Sequence, residues 1–395
     1  MLLTPKSELR ARVDRLQKAM KRKGLDGAII SQNVDLFYFS GTTQRSILYV
    51  PQQGPPVLMV QKSIERAKKE SAIKLVEPMV VTQDIPKILK KHKIESPRAV
   101  GLEFDVLPVD QFRRLQKVLA NVTFLDVSFL IRRLRMVKTP FEIEQIEKAI
   151  RVIEKILHKA QEIIREGMTE IEVDGLFIGL ARGQGDQGRL RMRGWNQEMF
   201  HCHVLCGKTA AIPSFTETPI GGLGTTPAIA QGAGHNRIKR NEPILVDLGV
   251  GINGYVADIT RTFVIGQLSE RFHKGYQVLR EVEALVESQA GPGVSCSHLY
   301  QEAVRLTKSR GFDLYFMGFG EGKVNFLGHG LGLEIDELPV LAKRYHPSLE
   351  QGMVFALEPK MVFPGEGAIG LEDDYLVTSR GIEKLSHFDD DIIHL

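Results

Sequence analysis

Cysteine is scarce: Cys202, Cys206 and Cys296 are the only three in 395 residues. An odd, sparse set gives no disulfide framework and suits a reducing compartment, so a cytoplasmic setting is expected. Cys202 and Cys206, with His201 and His203 beside them, resemble half of a zinc site. No second cysteine pair completes it, so zinc is not expected there. No apolar run reaches the ~18 residues that a transmembrane helix needs. The first 24 residues lack the apolar core and cleavage pattern of a signal peptide. No membrane partner is therefore expected. Charge of one sign is also lacking. Lys and Arg number 52 against 48 Asp and Glu, a net charge of +4. That balance is too mild to indicate nucleic acid. The basic residues from Arg10 to Lys23 alternate with Glu8, Asp14 and apolar positions, as on a solvated helix face.

The hydrophobic content is 43% and the charged content 25%, ordinary for a globular chain with sizeable cores. The length predicts two domains. Residues 1–135 read as a compact α/β unit. Leu9, Val13, Leu16 and Met20 recur at helical spacing and the pattern stops at Gly24. A short apolar strand, Ala28-Ile29-Ile30, is followed by the aromatic run Leu36-Phe37-Tyr38-Phe39 and by further strand-like pieces around Val57–Val60 and Ala99–Leu102. This half shows no cluster of catalytic residue types and reads as a scaffold or specificity domain.

The second domain, 136–395, opens after a boundary near Arg132–Lys138. Thr139 can cap a helix, Pro140 suits its first position, and Glu142 completes a capping box. Ile143, Ile146, Ile150, Ile153 and Ile156 then line one face. A second helix is expected after Gly167-Met168-Thr169. The same arrangement recurs around Gly293-Val294-Ser295, 126 residues later. The repeat hints at two similar halves, each with paired helices and a hairpin.

Those hairpins carry the chemistry. Ile244–Val250 and Tyr255–Ile265 read as strands around a turn at Gly251–Gly254. Symmetry about Ile252-Asn253 pairs residues whose numbers sum to 505, which sets Asp247 across from Asp258. Directly opposed like charges are destabilising, so two aspartates in apolar strands need a reason. Met353–Glu358 and Ala368–Val377 repeat the puzzle around Pro364–Gly367. Symmetry about Gly365 pairs numbers that sum to 730 and sets Glu358 across from Glu372. His329, between glycines in "LGHGLGLEIDELP", supplies an imidazole. Four carboxylates in one pocket cannot persist unneutralised. Two divalent cations would balance them, and two ions ~3.5–4 Å apart are a known hydrolytic device. Oxygen ligands with one imidazole suit Mn, Co, Fe or Zn.

At these residues the chain resembles the proline-specific members of the creatinase, aminopeptidase P and methionine aminopeptidase superfamily, the pita-bread metallopeptidases. "KGLDGAIISQNVDLFYFSG" resembles the creatinase-type N-terminal domain. "VDLGVGINGYVADITRTF", "GHGLGLEIDELP", "GMVFALEP" and "GLEDDYLVT" follow the family's metal-site motifs in order. The resemblance implies an α+β fold: a pita-bread catalytic domain preceded by a smaller α/β creatinase-type N-terminal domain. It implies that Asp247, Asp258, His329, Glu358 and Glu372 hold two divalent metal ions. It also implies that Glu358 is the general base for water attacking the carbonyl before proline, in an Xaa-Pro dipeptidase or aminopeptidase acting on proline-containing peptides. A homodimer is implied on the same basis.

The chain also departs from the family pattern. A second histidine usually follows the metal histidine by seven residues; Asp336 stands there, where it is expected to contact a cationic substrate group such as an amine. Another histidine usually precedes the first hairpin. Ser214 or Gln231 takes that place, depending on how an insertion near 215–229 is read, with His203 or His235 as a nearby substitute. His235 is the expected substrate-binding residue. An arginine usually found two residues before the last glutamate is Gly370 here. These changes alter the walls of the site and are expected to leave the ligand set whole. They keep open a non-peptidase member of the fold, a small-molecule hydrolase or lyase, and a metal-binding protein with weak activity.

Overall fold

The computed structural model describes residues 2–395, and contacts divide the chain into two compact units: 1–135 with 193–197, and 136–192 with 198–395. In the first unit, helix α1 (Lys6–Lys23) buries Leu9, Val13, Leu16 and Met20 and ends at Gly24, which adopts the left-handed conformation at φ 67°. Such a C-cap is where glycine costs least. The aromatic run is helix rather than strand: α2 spans Asn33–Ser40. Its start is fixed by Gln32, whose side chain accepts hydrogen bonds from the Val34 and Asp35 amides. Local capping thus overrides the strand preference of aromatic residues.

Six strands form the sheet of this unit: β1 (Gly27–Ile30), β2 (Ser46–Pro51), β3 (Val57–Val60), β4 (Leu75–Pro78), β5 (Ala99–Leu102) and β6 (Thr123–Asp126). Their order is β4-β3-β2-β1-β5-β6. The pairings mix antiparallel hairpins with parallel crossovers. Helices α3 (Ile64–Glu70), α4 (Ile85–Lys91), α5 (Val109–Val118) and α6 (Ser128–Met136) connect and follow them.

The second unit begins with α7 (Pro140–Ile163), and the predicted capping box is present. Glu142 accepts from the Thr139 amide with one oxygen and from the Tyr255 hydroxyl with the other. That ties the helix start to the first hairpin. Helix α8 (Glu170–Gly183) has the same cap from Thr169 and Glu172. The repeat is seen again in α9 (Glu270–Gln289) and α10 (Cys296–Ser309).

Strands β7 (Cys202–Cys206), β8 (Pro243–Ile252) and β9 (Tyr255–Val264) form one sheet, with the short β17 (Ile393–His394) at its edge. A second sheet has the order β11-β10-β12-β15-β16. These strands are β10 (Phe326–Gly330), β11 (Glu337–Ala342), β12 (Val354–Leu357), β15 (Asp373–Val377) and β16 (Ile382–Lys384). Between β12 and β15 in sequence, β13 (Lys360–Phe363) and β14 (Gly367–Gly370) make a separate two-stranded ribbon. Helix α7 packs along β8 and β9, and α9 along β13 and β14. Among the described residues no helix is long and apolar enough to cross a membrane.

The first hairpin differs from the predicted register. Ile252 pairs with Tyr255, so the turn is the two residues Asn253-Gly254, both at positive φ (53° and 98°). That is the tight turn that suits the twist of a hairpin. Asp247 therefore faces Thr260, and Asp258 faces Gly249. The shift is two residues, and a two-residue shift leaves every side chain on its predicted face. Asp247 and Asp258 remain diagonal neighbours on one face. Replacing Gly254 with Ala forces a side chain into the left-handed region. It should cost about 1–2 kcal/mol, read as a lowered denaturation midpoint with unchanged slope.

Candidate active site

The acidic cluster sits where the second long hairpin changes sheets. The two numbers of each pair sum to 730 in the β12–β15 ladder (Leu357 with Asp373) and again in the β13–β14 ribbon (Lys360 with Gly370). Between the two ladders lie Glu358-Pro359 on one strand and Leu371-Glu372 on the other. Proline has no N–H to give to a ladder. Glu358 and Glu372 thus hold the predicted register but stand in the gap, where the Glu372 side chain turns to the first hairpin and that of Glu358 to His329 and Lys360.

Two backbone hydrogen bonds pin Glu372 to Thr260 on β9, at 3.3 and 3.1 Å. The Thr260 hydroxyl donates to Glu372 Oε2 at 2.7 Å. The Asp258 amide donates to Asp374 Oδ2 at 3.1 Å. These contacts bring the aspartate hairpin against the glutamate pair. Strand β10 delivers His329 from a third direction. It runs between β11 and β12, with His329 opposite Ala356 and Val340. The flanking glycines allow this. A Cβ on Gly328 would lie 2.2 Å from the Ala356 carbonyl oxygen, and one on Gly330 would lie 2.3 Å from that of Leu338.

The imidazole is oriented by its other nitrogen. Nδ1 lies 3.2 Å from the Gly330 carbonyl and 3.5 Å from Asp336 Oδ1. Nε2 faces Glu358 at 3.5 Å and Asp258 and Glu372 at 3.9 Å. Asp336, half-exposed, thus has a potential cationic partner within the chain. A carboxylate behind a ligating histidine fixes the tautomer and raises the ring's basicity. Burial opposes charge on the ring, but Asp336, Glu358 and Glu372 outweigh it and push the pKa up to about 9.

Asp258, His329 and Glu372 each offer a ligand atom, and all three atoms lie within 4.8 Å of one another. Asp258 Oδ1 and Glu372 Oε1 are buried with no hydrogen-bond partner. Burial raises the pKa of both acids, and neighbouring carboxylates push it further. Glu372, partly relieved by Lys360, is brought to about 7. Unpaired anionic oxygens around an imidazole nitrogen fit a divalent cation.

The sequence reading missed Lys360. It is 1% exposed, and its Nζ donates to Glu358 Oε2 at 2.6 Å and Glu372 Oε2 at 2.9 Å, with Asp247 Oδ2 at 3.7 Å. Burial disfavours its charge, but the three carboxylates more than compensate and hold its pKa well above the usual value. The signal was available: a lysine two residues after Glu358 interrupts the otherwise apolar Met361-Val362-Phe363 strand at its start. Its presence also explains Gly370, its cross-strand partner. A Cβ at Gly370 would lie 2.6 Å from Lys360 Cγ, so the lysine stem fills the space where a side chain at 370 would begin.

The other expected wall residues divide. His235 is exposed, and its chain neighbours Gly234 and Asn236 bond Glu170 rather than the acidic cluster. His203, by contrast, is buried directly across from Asp247 with Nε2 unpartnered. Burial lowers its pKa, Asp247 raising it and Lys360 lowering it further. Ser214 and Gln231 are near each other: the Ser214 hydroxyl donates to the Ala230 carbonyl at 2.6 Å, and Gln231 is buried with Oε1 unpartnered. A second acidic group, Glu283, Asp373 and Asp390, is supplied with cations by Arg261 and Lys384. It reads as structural.

Residues 144–379 match the model of metallopeptidase family M24. The chain belongs to this family. Residues 12–137 match the creatinase/prolidase N-terminal domain, so the fold is a pita-bread metallopeptidase domain preceded by a creatinase-type domain. A relative named Xaa-Pro dipeptidase from Pyrococcus furiosus is 29% identical over 382 residues, covering 96% of this chain and 98% of that protein. One of the same name from Lactobacillus helveticus is 27% identical, covering 96% and 98%. The crystal structure of a prolidase from Pyrococcus horikoshii superposes with a TM-score of 0.81 at 27% identity, covering 97% of this chain and all of that one. Membership in M24 implies a divalent metal.

Asp336→Asn should lower affinity for Mn²⁺ or Zn²⁺ by about 10–100-fold, measured by titration of chelator-treated protein. Gly328→Ala should separate β10 from β12, lowering both thermal stability and metal affinity. Unchanged affinity in both variants would remove the proposed route by which His329 is held.

Proposed function

We propose that the protein is a metal-dependent hydrolase that cleaves the peptide bond before proline, as an Xaa-Pro dipeptidase or aminopeptidase. The observation that carries this reading is the convergence of Asp247, Asp258, His329, Glu358 and Glu372 from separate strands onto one buried cluster. The named activity of relatives aligned over nearly the whole chain supports the substrate class. Asp258, His329 and Glu372 would hold Mn, Co, Zn or Fe. A bound ion would polarise the scissile carbonyl and make water a better nucleophile.

The chain's own residues account for the remaining chemistry. Glu358 is the general base and then returns the proton to the departing proline nitrogen. Its Oε2 is engaged by Lys360, so Oε1, which faces His329, is the atom that takes the proton. Lys360 bridges Glu358 and Glu372 and holds their Oε2 atoms at fixed separation. His203, neutral and next to Asp247, can donate or accept a hydrogen bond at the substrate. Asp336, half-exposed beside His329, remains able to meet a substrate cation. A cytoplasmic setting belongs to the proposal, since the three cysteines are free and buried. The homodimer rests on the family resemblance alone.

One observation favours the second reading, a non-peptidase member of the fold or a metal-binding protein with weak activity. An ammonium group inside the carboxylate cluster is a large change for a site built on cations. The two readings separate by assaying Xaa-Pro dipeptides and longer Xaa-Pro peptides with Mn²⁺ or Co²⁺ added. Metal-dependent release of the residue before proline is expected. Glu358→Gln should keep most of the bound metal while kcat falls by about 10²-fold or more. Turnover that survives this change would remove Glu358 as base, and no cleavage of any Xaa-Pro substrate would favour the second reading.

A further inference from the structure

We propose that Lys360 fills one of the two cation positions of the cluster, so that the protein binds a single divalent ion, at Asp258, His329 and Glu372. This rests on the metal-dependent part of the functional reading and not on the peptidase part.

The oxygens around Lys360 are those a second ion would require. Once Asp258, His329 and Glu372 Oε1 are assigned to one ion, Asp247, Glu358 and Glu372 Oε2 remain. The lysine Nζ sits 3.7, 2.6 and 2.9 Å from those three groups. A transition metal would need the same oxygens at about 2.0–2.2 Å. Two cations cannot share one set of lone pairs at these separations. The ammonium is geometrically a substitute for the ion, with longer contacts and one positive charge instead of two.

The lysine has no alternative place. All four residues of β13 are buried. The backbone of Lys360 is held in the β14 ribbon, and its carbonyl accepts from the Met317 amide at 2.9 Å. The stem lies over Gly370, the position that lacks a side chain. Withdrawing Nζ from the carboxylates would leave a buried ammonium and buried anions all unpaired, which is strongly destabilising. The other cation position differs in kind. Asp258 Oδ1 and Glu372 Oε1 lack any hydrogen-bond partner there, and among the described residues only the His329 imidazole, not a lysine or arginine, faces them. Glu372 thus divides its two oxygens between a fixed ammonium and an exchangeable ion.

The test is stoichiometry, which does not depend on turnover. Chelator-stripped protein is reloaded with Mn²⁺ or Zn²⁺, desalted and measured by elemental analysis, with calorimetric titration in parallel. About one ion per chain is expected for the wild type. Its Mn²⁺ form should give the six-line EPR spectrum of an isolated ion. Lys360→Gly, which empties the position, should raise the count to about two and introduce spin coupling. Lys360→Ala serves if the glycine variant does not fold, and the wild-type count and spectrum stand without either. Two ions or a coupled spectrum in the wild type would overturn the inference and leave the peptidase reading intact. A single ion in wild type and folded variants alike would overturn Lys360 as the occupant. No bound ion in the wild type would remove both. One ion without cleavage of any Xaa-Pro peptide would remove only the peptidase reading.

Discussion

Buried negative charge is the constraint on which the catalytic unit depends. Asp258, Glu358, Glu372 and Asp374 are almost fully enclosed, and Asp247 is only slightly less so. Carboxylates withdrawn from water must be protonated, paired or bound to metal. The chain supplies two positive or potentially positive groups to this cluster, Lys360 and His329. One is permanent and bridges Glu358 and Glu372. The other is aimed by Asp336 and the Gly330 carbonyl so that its free nitrogen faces the remaining oxygens. The site is therefore partly neutralised from within, and its remaining oxygens are arranged for a cation from outside.

Several features that look unrelated serve this arrangement. Pro359 interrupts a long hairpin and opens a gap in which two glutamates leave the ladder. The Asn253-Gly254 turn sets a register that keeps both aspartates on one face. Gly328 and Gly330 let three strands approach closely enough for the imidazole to reach the acids. Gly370 leaves room for the lysine stem. Glycine gives up side-chain packing at each of these positions, and the benefit is close approach of backbone or of another residue's side chain.

Departures from a family pattern gain meaning when their neighbours are known. Gly370 and Lys360 face each other across a ribbon, and the lysine stem uses the room that Gly370 leaves. Asp336 likewise takes its place from a neighbour: it lies 3.5 Å behind the Nδ1 of His329. His203 rather than His235 remains near the cluster, because β7 pairs with β8 directly at Asp247.

Much of this was legible in the chain alone. Helix α1 and its glycine stop, the capping box at Thr139, the repeat of paired helices and the glutamate register follow from local periodicity and turn chemistry, which act between residues near in sequence. The ordered acid and histidine motifs also specified the family and the identity of the cluster. Sequence patterns could not give the helical state of Leu36–Phe39, which a preceding glutamine side chain decides. Nor could they give the two-residue shift of the first hairpin, which depends on where a positive-φ turn settles. The partner of Asp336 and the destination of Lys360 lay further out of reach. Both are set by groups that meet only when separate strands pack, and in a buried site the nearest opposite charge decides the role of each residue. The sequence by itself determined which ionisable groups the site contains. Only tertiary packing decided which of them neutralise one another, because charge pairing in a low-dielectric interior depends on a few ångströms that no spacing along the chain encodes.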